Sequence, residues 1–253
     1  MCEITFQDDQ WRKVFGFLRG IDGIYIGNQA ECRRFIEAII WMARSGAQWR
    51  LLPKEYGSWN SVFKRFNAWG KKNIWEDIFS HFSIEADMTN VMIDSSIVRA
   101  NSCAAGYEKS GEGIDDQALG RSRGGFSTKI HVLVDTFGRP IKAIFTGGQV
   151  SDVTQALPLL EGIECQAALM DKAYDANDIL DHLAMNGIKV VIPPKANRKV
   201  QREYDKELYK ERNLVERFFG KIKQYRRVFS RFDKTAKNFS NFFYFSSLLI
   251  WLR

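Results

Sequence analysis

Histidine is scarce in this chain. There are three in 253 residues, His81, His131 and His182, and none stands at ligand spacing from another. The four cysteines, Cys2, Cys32, Cys103 and Cys165, are far apart. That spacing excludes a Cys/His zinc motif or a redox pair and reads as reduced thiols in a cytosolic protein. No serine or cysteine stands beside an evident base, so nucleophilic catalysis of the triad kind has no candidate. The pattern Gly-x-x-x-x-Gly-Lys does not occur, so ATP or another nucleotide cofactor is not expected. Long apolar runs are missing too. The stretches 35–43 and 242–252 are too short or too interrupted to span a bilayer. The opening Met-Cys-Glu-Ile-Thr-Phe-Gln-Asp-Asp has no basic region followed by an apolar one, so no signal peptide is expected. A cytoplasmic protein is expected. No internal repeat is visible.

What is present is a core-forming composition, 45% apolar with 13% aromatic, and an uneven charge. The net +7 divides into +1 over 1–90, −4 over 91–190 and +10 over 191–253. An acidic middle beside a basic end suits a carboxylate metal site next to a phosphate-binding surface.

The chain separates into a helical part, 1–88, and a mixed part, 89–253. In the first, Asp8 or Asp9 caps a helix to about Leu18. Asn28 with Glu31 forms a capping box for a second, to about Arg44, and Ser58 caps a third through Trp69. Helix, tight connection and helix, with Lys64, Arg65 and Asn67 on the last, suits a helix-turn-helix DNA-binding domain. After Asn90 the period changes. Residues 91–98 read as a strand with Asp94 inside an apolar run, where an unpaired carboxylate is costly. Residues 100–125 are polar and rich in glycine, including Gly106, Gly111 and Gly113. Their end, 120–125, carries Arg121 and Arg123 where backbone N–H groups can approach a phosphate. Strands follow at 128–135 and 141–145, making an antiparallel meander with the first. A helix over 153–160, a short strand ending at Asp171, a helix to Asn186 closed by Gly187, and a strand over 188–192 add a parallel part. The fold class is α/β, a mixed sheet with flanking helices.

The stretch 209–223 holds two stripes at helical spacing. One is apolar: Val215, Phe218, Phe219 and Ile222. The other is Tyr209, Arg212, Glu216 and Lys223, projecting from nearly one face. The closing stretch 239–252 reads as a helix for core or dimer packing. Three carboxylates from three elements, Asp94, Asp171 and Glu216, with no His or Cys cluster, suit a hard cation such as Mg²⁺ or Mn²⁺. Two such ions could serve an in-line phosphoryl displacement, with Asp94 bridging. Asp175 and Glu211 compete for the second and third places. The strand end favours Asp171, and the register with Lys223 favours Glu216.

Tyr209-x₂-Arg212-x₃-Glu216-x₆-Lys223 resembles the Tyr-Arg-Glu-Lys signature of bacterial insertion-sequence DDE transposases, and the chain is similar to the insertion sequence family five group. The segments at 93–100, 120–131, 170–175 and 192–198 resemble that group's other motifs in order, with Ala173 where many relatives carry Gly. Residues 46–53 resemble its small amino-terminal domain. The resemblance implies an RNase H-like catalytic domain after a small all-α one. It also implies binding of terminal inverted repeats, Mg²⁺-dependent hydrolysis that frees 3′-hydroxyls, and strand transfer into target DNA. Asp94, Asp171 and Glu216 are then the catalytic metal ligands, holding two ions. Tyr209, Arg212 and Lys223 accompany them, with Arg121, Arg123, Lys64 and Arg65 as further DNA contacts. A homodimer or higher oligomer on DNA is implied as well. The alternatives are a structure-selective nuclease and a domesticated or decayed copy that binds DNA without cutting it.

Overall fold

The computed structural model describes residues 6–104 and 117–253, which form two compact units. Gly106, Gly111 and Gly113 of the glycine-rich stretch lie outside the described residues.

The first unit holds 6–82, 101–104 and 222–253. Its helices are α1 (Asp8–Arg19), α2 (Gln29–Ser45), α3 (Trp59–Lys71) and α4 (Ile74–Ser83), and from the far end of the chain α9 (Arg226–Phe229) and α10 (Ala236–Trp251). The capping box is present: Asn28 Oδ1 accepts from the Glu31 N–H at 2.9 Å, and Glu31 Oε2 from the Asn28 N–H at 3.3 Å. Gly46 closes α2 in the left-handed region, φ 66°, where a side chain would be strained. Helix α1 begins at Asp8, with Gln7 rather than an aspartate at the cap. The helical pattern around His81 is helix α4. Asn73, at φ 61°, makes the corner before it, a conformation asparagine tolerates better than most residues.

The C-terminal helix was expected with the mixed domain that begins at 89. It groups instead with the N-terminal helices, and its composition explains why. Helix α10 is buried almost all round, so it needs helices on several sides. Phe242 stacks on Phe66 with ring centroids 4.6 Å apart, and Phe245 meets Trp75 edge-on at 5.3 Å. The Tyr244 hydroxyl donates to Glu76 Oε1 at 2.9 Å, which satisfies its polar end.

The second unit, 83–100 and 117–221, is built on a mixed sheet. Its strands are β1 (Asn90–Ala100), β2 (Gly120–Ser122), β3 (Gly125–Val134), β4 (Pro140–Gly147), β5 (Ala167–Leu169) and β6 (Lys189–Val191). Strand β3 is antiparallel to β1 on one side and to β4 on the other, and β2 folds back on the start of β3 as a hairpin. Strand β5 runs parallel to β1, and β6 parallel to β5. A three-stranded meander continued by two parallel strands is the RNase H-like mixed sheet. Helices α5 (Ala156–Leu160) and α6 (Asn177–Met185) cover one face. That face buries Val91, Ile93, Leu133, Ala168 and Met170 against Leu159, Leu160, Ile179 and Leu183.

Alternation along the strands turns the neighbouring residues the other way. Met92, Asp94 and Ser96 therefore share the opposite face. Helices α7 (Lys206–Tyr209) and α8 (Asn213–Ile222) follow β6, with a 3-10 turn at Lys210–Arg212 between them. One continuous helix over 209–223 was expected. The Asn213 side chain donates to the Lys210 carbonyl at 2.7 Å, the local competition for backbone acceptors that asparagine brings. The apolar stripe survives the break, since Val215, Phe218, Phe219 and Ile222 are all buried.

Candidate active site

Asp94 sits in the middle of β1, opposite Val132 of β3. The parallel pairing of β1 with β5 sets Asn90 beside Ala167, Val91 beside Ala168 and Met92 beside Leu169. Strand β5 ends at Leu169, and Asp171 follows two residues later as the cap of a 3-10 turn, near enough for its charge to act on Asp94. The parallel pairing of β5 with β1 thus brings two carboxylates of distant sequence into one neighbourhood.

Glu216 comes to them through Arg212. The guanidinium donates Nη1 to Asp94 Oδ2 at 3.3 Å and Nη2 to Glu216 Oε1, four residues on along the chain. Tyr209 flanks the same guanidinium, its ring centroid 5.8 Å from Cζ. Asp94 Oδ1 accepts from the Ser95 N–H at 2.8 Å. Asp171 Oδ1 accepts from the Ala173 N–H at 2.6 Å, capping the 3-10 turn Lys172–Tyr174. Ala173 is not among the residues at positive φ, so alanine there strains nothing.

The electrostatics show the three acids sharing one field. Burial raises the Asp94 pKa; the Ser95 N–H and Arg212 pull it down, and the charges of Asp171 and Glu216 push it up further. Burial works against the Arg212 charge, but Tyr209, Asp94 and Glu216 outweigh it and raise its pKa. Among the described residues, no three His, Cys, Asp or Glu side chains close around a single point. Hard-cation sites of this type need only one or two carboxylates per ion, completed by water and phosphate oxygens.

The competing acids have other work. The Asp175 carboxylate is fully buried and accepts from the Lys195 N–H at 2.8 Å, from Arg198 Nε at 2.9 Å and from Arg202 at 3.4 Å. Glu211 accepts from the Asn90 side chain at 3.2 Å, at the start of β1 rather than its middle.

The expected DNA contacts separate into two groups. Lys64 is exposed on α3, and Arg121 and Arg123 are exposed on the β2–β3 hairpin, Arg121 lying over the Phe126 ring at 5.3 Å. Lys223 is the first residue past α8 and is half-buried, which lowers its pKa. Arg65 is not free to meet DNA. It donates to the Ile26 carbonyl at 2.9 Å and lies over Phe35 at 4.2 Å and Trp69 at 5.0 Å, and burial lowers its pKa. It forms part of the wall of a cavity of about 640 Å³ within the helical unit.

Two features were not anticipated from the sequence. The Tyr174 ring is buried, and its hydroxyl has no hydrogen-bond partner among the described residues. Burial, then the charges of Asp152, Asp94 and Asp171, push its pKa well above the phenol range. Its position three residues after Asp171 was the available signal, because residues at i and i+3 eclipse in a 3-10 turn. The second is a buried polar group on β3. Lys129 Nζ lies 3.0 Å from Asp152 Oδ1, and His131 Nε2 lies 2.8 Å from Thr146 Oγ1. Burial depresses the His131 pKa to about 4.

No helix of the described residues is long and apolar enough to cross a membrane.

Residues 85–251 match the transposase DDE domain family, and residues 6–79 match a family described as putative transposase of the IS4/5 family. A putative transposase for insertion sequence element IS6501 from Brucella ovis is 38% identical over 130 residues, 50% of this chain and 99% of that protein. A putative transposase for insertion sequence element IS402 from Burkholderia cepacia is 32% identical over 143 residues, 49% of this chain and 65% of that protein. Among solved structures, the piggyBac transposase synaptic complex with hairpin DNA aligns at 13% identity and a TM-score of 0.39, over 78% of this chain and 50% of that one. The Mos1 mariner paired-end complex with Mn aligns at 15% identity and a TM-score of 0.29, over 87% and 81%. Those two likenesses are loose, whereas the family matches span nearly the whole chain. A mixed sheet with Asp94 on β1, Asp171 just past β5 and Glu216 joined to Asp94 through Arg212 agrees with the matches, and the chain belongs to the transposases with a DDE domain.

Proposed function

We propose that this chain cuts DNA strands at the terminal inverted repeats of an insertion sequence and joins the freed 3′-hydroxyls to target DNA. The observation that carries the reading is Arg212 bridging Asp94 of β1 and Glu216 of α8, with Asp171, just past β5, close enough for its charge to act on Asp94. The donor set is all oxygen, which suits Mg²⁺ or Mn²⁺. A stand-in cation, the Arg212 guanidinium, lies between two of the three carboxylates. Asp94, Asp171 and Glu216 would hold such ions. Bound there, such ions activate the attacking water or 3′-hydroxyl and stabilise the leaving oxygen.

The chain's own residues do the rest. The Ser95 and Ala173 N–H groups fix one oxygen each of Asp94 and Asp171, and Arg212 holds the second oxygen of Asp94. Arg121, Arg123 and Arg212, with Tyr209 beside Arg212, meet the DNA backbone near the cut, and Lys223 is a further phosphate contact. Lys64, on the exposed face of α3 with Asn60 and Ser61, contacts the terminal repeat, so the helical unit reads the ends and the sheet unit cuts them. Arg65 supports α3 from inside. The chain works in the cytoplasm on nucleoid DNA, as a homodimer or higher oligomer, without a nucleotide cofactor.

The test is cleavage of a labelled duplex bearing the element's ends in Mg²⁺, Mn²⁺ or EDTA, beside Glu216→Gln. Metal-dependent nicking at the boundary, absent from the variant, followed by joining to a second duplex, is the expected result. Nicking without joining would favour a structure-selective nuclease. Binding without nicking in any metal would favour a DNA-binding protein that has lost the reaction.

A further inference from the structure

We infer that Arg212 is a resident counter-cation, competing with the divalent ion for Asp94 and Glu216 until a DNA backbone phosphate draws it away. The inference rests on the reading of Asp94 and Glu216 as metal ligands. Asp94 has two oxygens, and one is already engaged by the Ser95 N–H. The other, Oδ2, accepts from Arg212 Nη1. Arg212 Nη2 engages Glu216 Oε1 at the same time. A cation using those two oxygens and the guanidinium cannot sit there together. With Asp171 near enough to act on Asp94, three negative charges gather around one positive one, so the arginine's place is set by the same field that would attract a metal.

Three features make the arrangement reversible. The contact to Asp94 is 3.3 Å, longer than the ~2.7–2.9 Å of a strong charge-assisted bond. The Glu216 side chain is 56% exposed, so water screens its share of the pairing. In addition, arginine precedes glutamate along the chain, the weaker order for an i,i+4 pair. Arg212 also has somewhere to go. Its planar fork suits a phosphate, and the Tyr209 ring alongside can support the cation as it turns outward. Before DNA binds, the arginine neutralises the acids and weakens metal binding. Once DNA binds, the acids are released. By linkage, DNA then tightens the metal and the metal tightens DNA by the same factor.

The experiment is Mn²⁺ binding to the full chain, read by electron paramagnetic resonance of free Mn²⁺, with and without a duplex carrying the element's ends. The proteins are wild type, Arg212→Gln, Arg212→Lys and Asp94→Asn. Without DNA, Arg212→Gln is expected to bind Mn²⁺ roughly tenfold more tightly than wild type, within the usual range of such couplings. Adding DNA should close that gap by tightening wild type alone. Arg212→Lys, a point charge that cannot span both carboxylates, should fall between them and serves if the glutamine variant folds poorly. Equal or weaker Mn²⁺ binding by Arg212→Gln and Arg212→Lys, while Asp94→Asn loses it, would overturn the competition and leave the metal site standing. Mn²⁺ binding unchanged in Asp94→Asn would overturn both.

Discussion

Asp171 and Asp175 stand four residues apart on the same short connection, and the fold treats them in opposite ways. The Asp175 carboxylate is sealed from water and saturated by donors from Lys195, Arg198 and Arg202. Asp171 has a backbone donor on one oxygen and lies half-buried, near enough for its charge to act on Asp94. A carboxylate whose acceptor capacity is filled by protein is a structural strut, since nothing else can reach it. One left under-satisfied, near a second carboxylate, carries an electrostatic cost that a cation would relieve. Arg65 and Arg212 repeat the contrast with the sign reversed. Arg65 spends its guanidinium on a carbonyl and on aromatic faces inside the helical unit, while Arg212 bridges two acids at a half-open surface.

The contrast can be broken most directly at the acids. Asp94→Asn and Asp171→Asn are each expected to lower strand cleavage by roughly a thousandfold, the loss of several kcal/mol of charge stabilisation, with the fold intact by circular dichroism. Asp175→Asn should do the reverse, leaving chemistry in the folded fraction but destabilising the sheet unit, because it removes the charge that Arg198 and Arg202 pair with. Urea denaturation reads that loss. If Asp175→Asn cut as slowly as Asp171→Asn while folding normally, the assignment of the two acids would be exchanged.

A pH titration sharpens the same comparison. Burial pushes the Asp175 pKa up, but Arg198, the Lys195 N–H and Arg202 outweigh it and hold it below its ordinary value. Its contribution to stability is therefore complete above the unfolded carboxylate range and disappears as pH falls through the lower folded value. His131 titrates in a different window. Its folded pKa is depressed to about 4, so between that value and the ordinary imidazole range, about 6.5, the unfolded chain binds the extra proton and stability rises with pH. Replacing His131 with Gln should flatten the stability profile across that window, and an unchanged slope would mean the ring reaches water. The smallest effect is expected at α3. Lys64→Ala should reduce the salt dependence of DNA binding by about one phosphate contact, whereas Arg65→Ala should leave the slope unchanged and lower stability instead.

Much of the sheet was readable from the chain. Strands at 91–98, 128–135 and 141–145 alternate or run apolar between turn residues, and helix α6 ends where Gly187 takes φ 67°. The second helix declared itself through Asn28 and Glu31. Other features were not readable because they depend on partners distant in sequence. The corner at Asn73 before helix α4 is one that no glycine or proline marks. The 3-10 turn before Asn213 interrupts a stripe that is unbroken as a pattern. The aromatic α10 could have packed against the sheet, other helices or a second copy, and its own residues did not say which.

The sequence by itself determined the chemistry on offer: oxygen ligands without histidine or cysteine clusters, an acidic middle beside a basic end, and Tyr209, Arg212 and Glu216 spaced to meet. That information is local, because residue type and helical or strand period are properties of short stretches. Tertiary structure decided which acids meet. The charge of Asp171 reaches Asp94, while Arg198 and Arg202 neutralise the competitor Asp175. It also decided that Arg212 lies across Asp94 and Glu216 while Arg65 is buried, since the surroundings of a charge are fixed only when distant segments pack around it.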